Sequence, residues 1–171
     1  MVSNPKIMRK IFILFALLIS FFSCKEQDEE PVIFSGITER DEFGVMYSED
    51  STDWQLFDHW NSTEKALFEN SKRDFCDTTE GEFSVIVYPN PCSNMLIINF
   101  MQSGTKQISL RLVDQDFNVL FSKDTTISSS LFINPGYLAF NGDLIRLYYK
   151  FSSDDCELRG HGDIRVIRQG N

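Results

Sequence analysis

The segment Asp143-Leu-Ile-Arg-Leu-Tyr-Tyr-Lys-Phe151 alternates two kinds of side chain along its length. Because a strand directs successive side chains to opposite faces, every second residue shares a face. One face is apolar and aromatic: Ile145, Leu147, Tyr149 and Phe151. We predict that this face enters a core. The other face carries Arg146, Tyr148 and Lys150, and we expect Arg146 and Tyr148 to form an exposed candidate ligand surface.

Further short apolar runs occupy the second half of the chain. In residues 107–112 the apolar residues again alternate with polar ones, and Gly, Pro, Asn and Asp separate the runs. The other predicted strands are 83–88, 95–100, 119–121, 131–133 and 164–167. Asp114-Gln-Asp-Phe-Asn118 is predicted to be the hairpin turn that leads into 119–121. This pattern predicts a mainly β protein, a β-sandwich of about seven strands with a small N-terminal region that contains a short helix.

The first predicted strand of this half leads into a specific motif. Phe83-Ser-Val-Ile-Val-Tyr-Pro-Asn-Pro-Cys-Ser-Asn-Met-Leu-Ile-Ile98 resembles the start of a type IX secretion C-terminal sorting domain, and the resemblance covers 83–168. It implies an immunoglobulin-like sandwich for residues 83–171. Sorting domains are removed from their cargo, but removal here would leave only residues 24–82 on a lipid anchor. We therefore interpret the module as retained.

The N-terminus has the layout of a signal peptide. Residues 1–10 are basic and residues 11–22 are almost entirely apolar. Twelve helical residues reach only about 18 Å, less than the ~30 Å hydrocarbon core of a bilayer, so we expect no permanent span. Ser23-Cys24 resembles a bacterial lipobox. The resemblance implies that residues 1–23 are removed and that Cys24 is lipidated.

Residues 24–35 are predicted to form an acidic tether. Five charged residues follow the lipidated position: Lys25, Glu26, Asp28, Glu29 and Glu30. This run resembles the export signal of surface lipoproteins of the Bacteroidetes type, which implies a lipid-anchored protein of the outer membrane that faces the cell surface. The alternative interpretation is a solvated spacer.

Charge divides the remaining chain into two parts. Residues 26–82 hold 17 acidic and 4 basic side chains, whereas residues 83–171 hold 8 of each. We therefore separate an acidic cover region, residues 36–82, from the module at 83–171. The formal charge of −9 argues against nucleic acid as a partner, since its phosphates require clustered Lys and Arg.

The cover region contains two helix signals. Asn61-Ser-Thr-Glu64 has the form of a capping box and predicts a short helix near 62–70. Residues 54–60 also show helical spacing and carry Trp54, Phe57 and Trp60. We expect these aromatic side chains to dock the cover region on the module, with a glycan-binding platform as the alternative.

Three cysteines other than Cys24 could form a disulfide after export. We slightly favour Cys76–Cys156, which would join the cover region to the module. A Cys76–Cys92 bridge and the absence of any disulfide stay open as alternatives.

Three short segments resemble the O-glycan acceptor sequence of exported proteins of the Bacteroidetes type. They are Asp50-Ser-Thr52, Asp77-Thr-Thr79 and Asp124-Thr-Thr126, with Ser51, Thr78 and Thr125 as the candidate acceptors. All three are predicted to lie in loops.

Signs of catalysis are weak. Gly160-His-Gly-Asp163 is predicted to be a hairpin turn in which glycine supplies a positive φ, and His59 is predicted to be a surface residue. We find no nucleophile elbow, phosphate loop or calcium-loop spacing. The sequence therefore predicts no catalytic residue, no metal ligand and no cofactor.

Two functions fit these observations. The first is a non-enzymatic outer-membrane lipoprotein whose module binds a protein or a glycan. The second is a structural or accessory subunit of a cell-surface or secretion assembly that has no ligand of its own. The sequence leaves the oligomeric state open.

Overall fold

A computed structural model describes residues 31–56, 59–69, 74–76, 83–102, 106–127, 130–152 and 156–168. Several predicted features lie outside these residues: Cys24, the charged residues Lys25 to Glu30, Phe57 and Thr78. No helix in the described ranges has the length and apolar character needed to cross a membrane.

The described part of the chain is mainly β and forms three antiparallel sheets. It contains nine strands, where the sequence predicted about seven. They are β1 Glu39–Arg40, β2 Met46–Ser48, β3 Phe83–Tyr88, β4 Leu96–Gln102, β5 Lys106–Val113, β6 Val119–Ile127, β7 Ser130–Ile133, β8 Leu144–Ser152 and β9 Glu157–Arg165. A helix, α1 Ser62–Ala66, and a 3₁₀ turn, Pro135–Tyr137, also occur.

The strands are arranged as a hairpin and two larger sheets. Strands β1 and β2 form the hairpin, the three-stranded sheet has the order β3-β4-β7, and the four-stranded sheet has the order β6-β5-β8-β9. The two larger sheets share one buried apolar core. The predicted apolar face of β8 lies in this core, with Ile145, Leu147 and Tyr149 fully buried.

The turn between β5 and β6 is organised by one carboxylate. Asp114 Oδ1 accepts hydrogen bonds from the Asp116 and Asn118 amides at 3.0 and 2.9 Å, and Asp114 Oδ2 accepts one from Asn118 Nδ2. Phe117 has φ 61°, which closes the turn. This is the hairpin that the sequence predicted between the two strands.

The last strand differs from the prediction. The sequence placed a hairpin turn at Gly160-His-Gly-Asp163 and a strand at 164–167, whereas β9 runs from Glu157 to Arg165. Neither glycine has a positive φ. A Cβ atom on Gly160 would lie 1.7 Å from the Gln55 carbonyl oxygen, and one on Gly162 would lie 2.3 Å from the Trp54 ring. Close packing of another segment, and not a turn, therefore requires glycine here.

That segment also replaces a predicted helix. Residues 54–56, expected to be helical, instead pair with the free edge of β9. The Trp54 amide donates to His161 O at 2.9 Å, and the Arg159 amide donates to Leu56 O at 3.2 Å. Near the start of β9, the Glu157 amide donates to Asp74 O at 3.1 Å. The unpaired backbone groups of an edge strand need partners, and the cover region supplies them.

The second predicted helix is present but shorter. Helix α1 covers Ser62–Ala66, where the sequence predicted 62–70. The capping box is confirmed, because the Asn61 side chain accepts from the Glu64 amide and the Glu64 carboxylate accepts from the Asn61 amide.

A disulfide joins the cover region to the module. Cys76 and Cys156 are bonded, with their Cα atoms 4.9 Å apart, and this is the pairing that the sequence analysis slightly favoured. Cys92 is free and buried. Burial raises the pKa of the Cys92 thiol to about 12, so it stays protonated at neutral pH.

The close approach at β9 leads to a stability prediction. We expect Gly160→Ala to lower the free energy of unfolding by roughly 3 kcal/mol, because the added methyl group would push the Gln55 carbonyl away from β9. Gly136→Ala is the control and should cost less than about 1 kcal/mol, since only surface amide oxygens of Asn134 and Asn94 approach within 3.2 Å. Chemical denaturation measures both. Equal losses in the two variants would contradict the prediction.

Candidate functional site

The second face of β8 was expected to be exposed, and this prediction is wrong. Arg146, Tyr148 and Lys150 are all buried. The cover region packs on this face and forms a second apolar cluster around Tyr148. Residues 32–35, which the sequence assigned to the tether, are part of the cover region in the structure, because Val32 and Phe34 pack in the same cluster. Its buried members are Phe34, Trp60, Phe68, Val113 and Tyr148. The face is therefore an internal interface, and Arg146 and Tyr148 do not form a ligand surface.

Aromatic rings of the cover region lie over the cations of this face. The Arg146 guanidinium lies 4.4 Å from the centre of the Phe34 ring, and the Arg159 guanidinium lies 4.7 Å from that of Phe75. Phe68 lies over two cations, Arg111 at 5.1 Å and Lys150 at 5.4 Å. These contacts are attractive and are strengthened when water is excluded. The aromatic residues of the cover region thus have a structural role.

One buried ion pair lies at the centre of the interface. Arg146 binds Asp163 through two contacts, Nε to Oδ1 at 2.5 Å and Nη2 to Oδ2 at 2.7 Å. The same guanidinium donates to Ile33 O at 2.9 Å, and the Ser35 amide donates to Asp163 Oδ2 at 3.0 Å. The pair therefore receives hydrogen bonds from the cover region as well as from the sheet, which compensates part of its desolvation.

A second carboxylate, Asp53, joins the cover region to β9. Asp53 Oδ1 accepts from the Asp163 amide at 2.8 Å, and Asp53 Oδ2 accepts from the Thr38 amide at 2.9 Å. Burial raises the pKa of Asp53 to about 6, since the two amide hydrogen bonds only partly offset the loss of solvation.

The aromatic residues predicted for docking are packed within the protein. Trp60 is only 2 % exposed and stacks on Phe68, with ring centres 4.9 Å apart. Trp54 stacks on Tyr149 at 6.2 Å. This arrangement corresponds to docking of the cover region, and it leaves the Trp60 ring inaccessible to a glycan.

The two histidines pack against different aromatic rings. The His161 ring packs near Tyr148 and the His59 ring packs on Phe75, with centres 5.7 and 5.5 Å apart. Within the described ranges, no group of three or more His, Cys, Asp or Glu side chains could hold a metal ion. Ser51 lies in an exposed turn, but Thr125 lies in β6, so the prediction of a loop at Thr125 is wrong.

The outer face of the three-stranded sheet is unexpectedly apolar. Tyr88, Ile97 and Phe132 are direct neighbours across β3, β4 and β7. Phe132 is 66 % exposed and Met101, on the same face, is 59 % exposed. We call this the sheet face and define it by five residues: Ile86, Tyr88, Ile97, Met101 and Phe132.

Polar groups on the sheet face are connected to each other. Asn99 Nδ2 donates to the Tyr88 hydroxyl at 3.1 Å, and the Ser130 hydroxyl donates to Asn99 Oδ1. These bonds hold the Tyr88 hydroxyl at one end of the row formed by Tyr88, Ile97 and Phe132. The sheet face therefore combines exposed apolar area with ordered polar groups.

The hairpin formed by β1, β2 and the loop between them exposes a second set of apolar side chains. Phe43 is 80 % exposed and Tyr47 is 72 % exposed, with Val45 and Met46 also exposed. The loop adjoins the sheet face, since a Cβ atom on Gly44 would lie 3.5 Å from the Tyr88 ring. We call residues 41–47 the apolar hairpin.

Asp41 holds the apolar hairpin in one conformation. Its Oδ1 accepts from the Phe43 and Val45 amides at 2.9 and 2.8 Å, and its Oδ2 accepts from the Tyr47 hydroxyl at 3.2 Å. Desolvation acts to raise the pKa of Asp41, but the Val45 and Phe43 hydrogen bonds outweigh it, so the pKa lies below its ordinary value. The loop is thus ordered with an ionised carboxylate at neutral pH.

Sequence reasoning missed both surfaces. The run Phe43-Gly-Val-Met-Tyr47 was open to two interpretations, a small hairpin or an extended cover, and Phe132 lay in the predicted strand 131–133. A local signal was present only at the first of these, because Asp41 and Glu42 precede Phe43 and Gly44 follows it. Exposure itself depends on which faces find partners, and the sequence does not show this.

Comparisons with known proteins add no relative. The chain matches no protein-family model, no curated protein and no solved structure.

The buried ion pair can be tested by removing one partner. We expect Asp163→Ala to lower the free energy of unfolding by about 3–5 kcal/mol, because Arg146 would stay buried without its counter-charge. Asp124→Ala is the matched control. It removes the partner of Arg111 at 3.0 Å in an ion pair whose acidic side chain is 51 % exposed, so the loss should stay below about 1 kcal/mol. Denaturant titrations compare the two, and a loss in Asp163→Ala no larger than the control would refute the argument.

Asp53 should make stability depend on pH. Its pKa is raised from 3.8 to about 6 in the folded state, so the folded protein holds the proton more tightly than the unfolded chain does. Stability from this group is fully present below about pH 4 and is lost as the pH rises to about 6. We expect wild type to lose stability relative to Asp53→Asn across this range. NMR titration of the Asp53 carboxyl should give a midpoint near pH 6, and a midpoint near 4 would contradict the prediction.

Proposed function

We propose that this chain is a lipid-anchored protein of the outer membrane, facing the cell surface, and that its folded part is a non-enzymatic module that binds another protein. The N-terminal lipobox resemblance at Cys24 and the acidic run after it support the location. The exposed apolar sheet face is the observation that supports binding.

We further propose that the two larger sheets form an immunoglobulin-like sandwich. The two larger sheets together contain seven strands, ordered β3-β4-β7 and β6-β5-β8-β9. These orders correspond to strands A-B-E and C′-C-F-G of an immunoglobulin-like sandwich that lacks strand D. Such sandwiches serve as scaffolds for recognition in many unrelated proteins, so the topology fits a binding module but does not identify its ligand.

The sheet face exposes apolar side chains to solvent, which is a property of binding surfaces. An antiparallel sheet with one face in solvent normally carries polar residues on that face. Here Tyr88, Ile97 and Phe132 form an apolar row instead. A contiguous exposed apolar patch costs free energy in water and marks a surface that another molecule covers.

The composition of the sheet face favours a protein over a glycan. Met101 and Ile97 offer adaptable aliphatic area, and Phe132 offers a large aromatic anchor. Aromatic residues and Met are enriched in protein–protein interfaces. The alternative of a glycan platform at Trp54 and Trp60 has less support, because Trp60 is buried against Phe68 and Trp54 stacks on Tyr149.

Crosslinking in intact cells tests the binding proposal. We expect a photoreactive amino acid in place of Phe132 to crosslink to a specific cell-envelope protein. The same replacement at Val119, which is 50 % exposed on β6, is the matched control and should give no such product. Equal crosslinking at both positions, or none at Phe132, would contradict the proposal.

The location is tested separately. Protease added to intact cells should remove a C-terminal tag from the wild-type protein, and Cys24→Ser should shift the chain from the membrane fraction to the soluble fraction. Protection of the tag until lysis would overturn the surface location while leaving the binding test unaffected.

A further inference from the structure

A pocket opens between the β3–β4 connection, the segment after β7 and the residues after β9. It has a volume of about 290 Å³ and lies between Ser93–Asn94, Pro135–Gly136, Leu138 and Val166–Arg168. Ile167, in its wall, is 56 % exposed. This volume lies at the lower end of the range of about 300 to 1,000 Å³ that is usual for ligand pockets, and it is large enough for one aromatic side chain.

The hairpin and the pocket are attached to the same short segment. Arg40, at the base of the hairpin, exchanges two backbone hydrogen bonds with Asn90, at 2.7 and 2.9 Å. Two residues later, Cys92 accepts from the Ile167 amide at 2.6 Å and donates to Arg165 O at 2.9 Å. A projecting aromatic residue and a pocket therefore occur together at one end of the protein.

The two features carry opposite charge. The hairpin and its flanks contain five acidic residues: Glu39, Asp41, Glu42, Glu49 and Asp50. Arg40 is the base within this stretch, and its guanidinium is engaged by Gly44 O at 3.0 Å. The pocket has Arg168 in its wall and Arg165 beside it. Asp143 lies 3.8 Å from Arg165 and is itself largely exposed, so it only partly compensates these cations.

We propose that the occupant of the pocket is Phe43 of a second copy of this chain. In the proposed dimer, one two-fold axis places each Phe43 in the pocket of the other copy. This is an isologous arrangement, which closes as a dimer and does not propagate. Glu42 of one copy then faces Arg168 of the other.

The order of the hairpin lowers the cost of this association. Asp41 already accepts hydrogen bonds from the Phe43 and Val45 amides, so Phe43 is held outward before any contact is made. Preorganised groups lose less conformational entropy on binding than mobile ones do. An aromatic side chain that enters a pocket is the usual form of an interface hot spot.

Sedimentation of the full-length chain in detergent tests the proposal. We expect a monomer–dimer equilibrium at about 1–100 µM, and a weakening of at least about tenfold in Phe43→Asp. Phe132→Asp is the control for an exposed ring outside the proposed interface, and it should leave the equilibrium unchanged. Met101→Asp is a second control, because Met101 is 59 % exposed and lies four residues beyond Ile97 on β4, farther from the hairpin and the pocket than Phe132. Because both control residues belong to the sheet face, they also separate failure of the dimer from failure of the proposed function.

Charge reversal provides a second test. Glu42→Lys and Arg168→Glu should each weaken the dimer, and the double variant should recover affinity because the opposite charges face each other again. Circular dichroism of each single variant checks its folding, which matters because Arg168 packs 4.4 Å from the Phe140 ring and donates to Phe140 O. Additive losses in the double variant would overturn the assigned contact.

Crosslinking in cells addresses the same contact without detergent. When one tagged copy carries Phe43→Cys and another carries Ile167→Cys, we expect a disulfide-linked heterodimer. A wild-type chain that sediments as a monomer throughout the range, a Phe43→Asp dimer of undiminished affinity, or a ladder of higher oligomers would each overturn the proposal.

Discussion

The buried outer face of β8 and β9 is the constraint on which the rest of the structure depends. Arg146 and Asp163 form an ion pair there that is almost fully excluded from water. A charge pair in such a place is stable only when further hydrogen bonds satisfy it. Ile33 O and the Ser35 amide supply these bonds, so the four-stranded sheet requires the cover region. The aromatic rings of Phe34 and Phe68, which lie over the cations, complete the exclusion of water.

The same requirement explains the edge of β9. A strand edge left unpaired would expose backbone donors and acceptors to solvent and to other chains. Segments 54–56 and 74–76 pair with this edge, and the Cys76–Cys156 disulfide closes a loop of 80 residues beside it. Gly160 and Gly162 allow this pairing, because a side chain at either position would occupy the space of Gln55 or Trp54. The glycines are therefore part of the docking of the cover region.

The protein distributes its side chains in an unusual way. Cations lie inside, under aromatic rings, while Phe43, Tyr47 and Phe132 lie outside. Burial of the cations is explained by the ion pairs and rings around them. Exposure of the Phe43 and Phe132 rings has no such internal explanation, which is why the sheet face and the apolar hairpin are the surfaces to which we assign interactions. The acidic residues around the apolar hairpin further favour a partner with basic groups.

The sequence by itself determined the local elements. Period-two alternation identified β5 and β8, the capping box identified the start of α1, and turn residues at Asp114 to Asn118 identified a hairpin, because each depends on neighbours in the chain. Only the tertiary structure decided that both faces of β8 are buried, that position 160 requires glycine, and that residues 54–56 are not helical. These outcomes depend on contacts between the cover region and β9 across about a hundred residues of chain, where local preference is overridden by the need to bury charges and pair an edge.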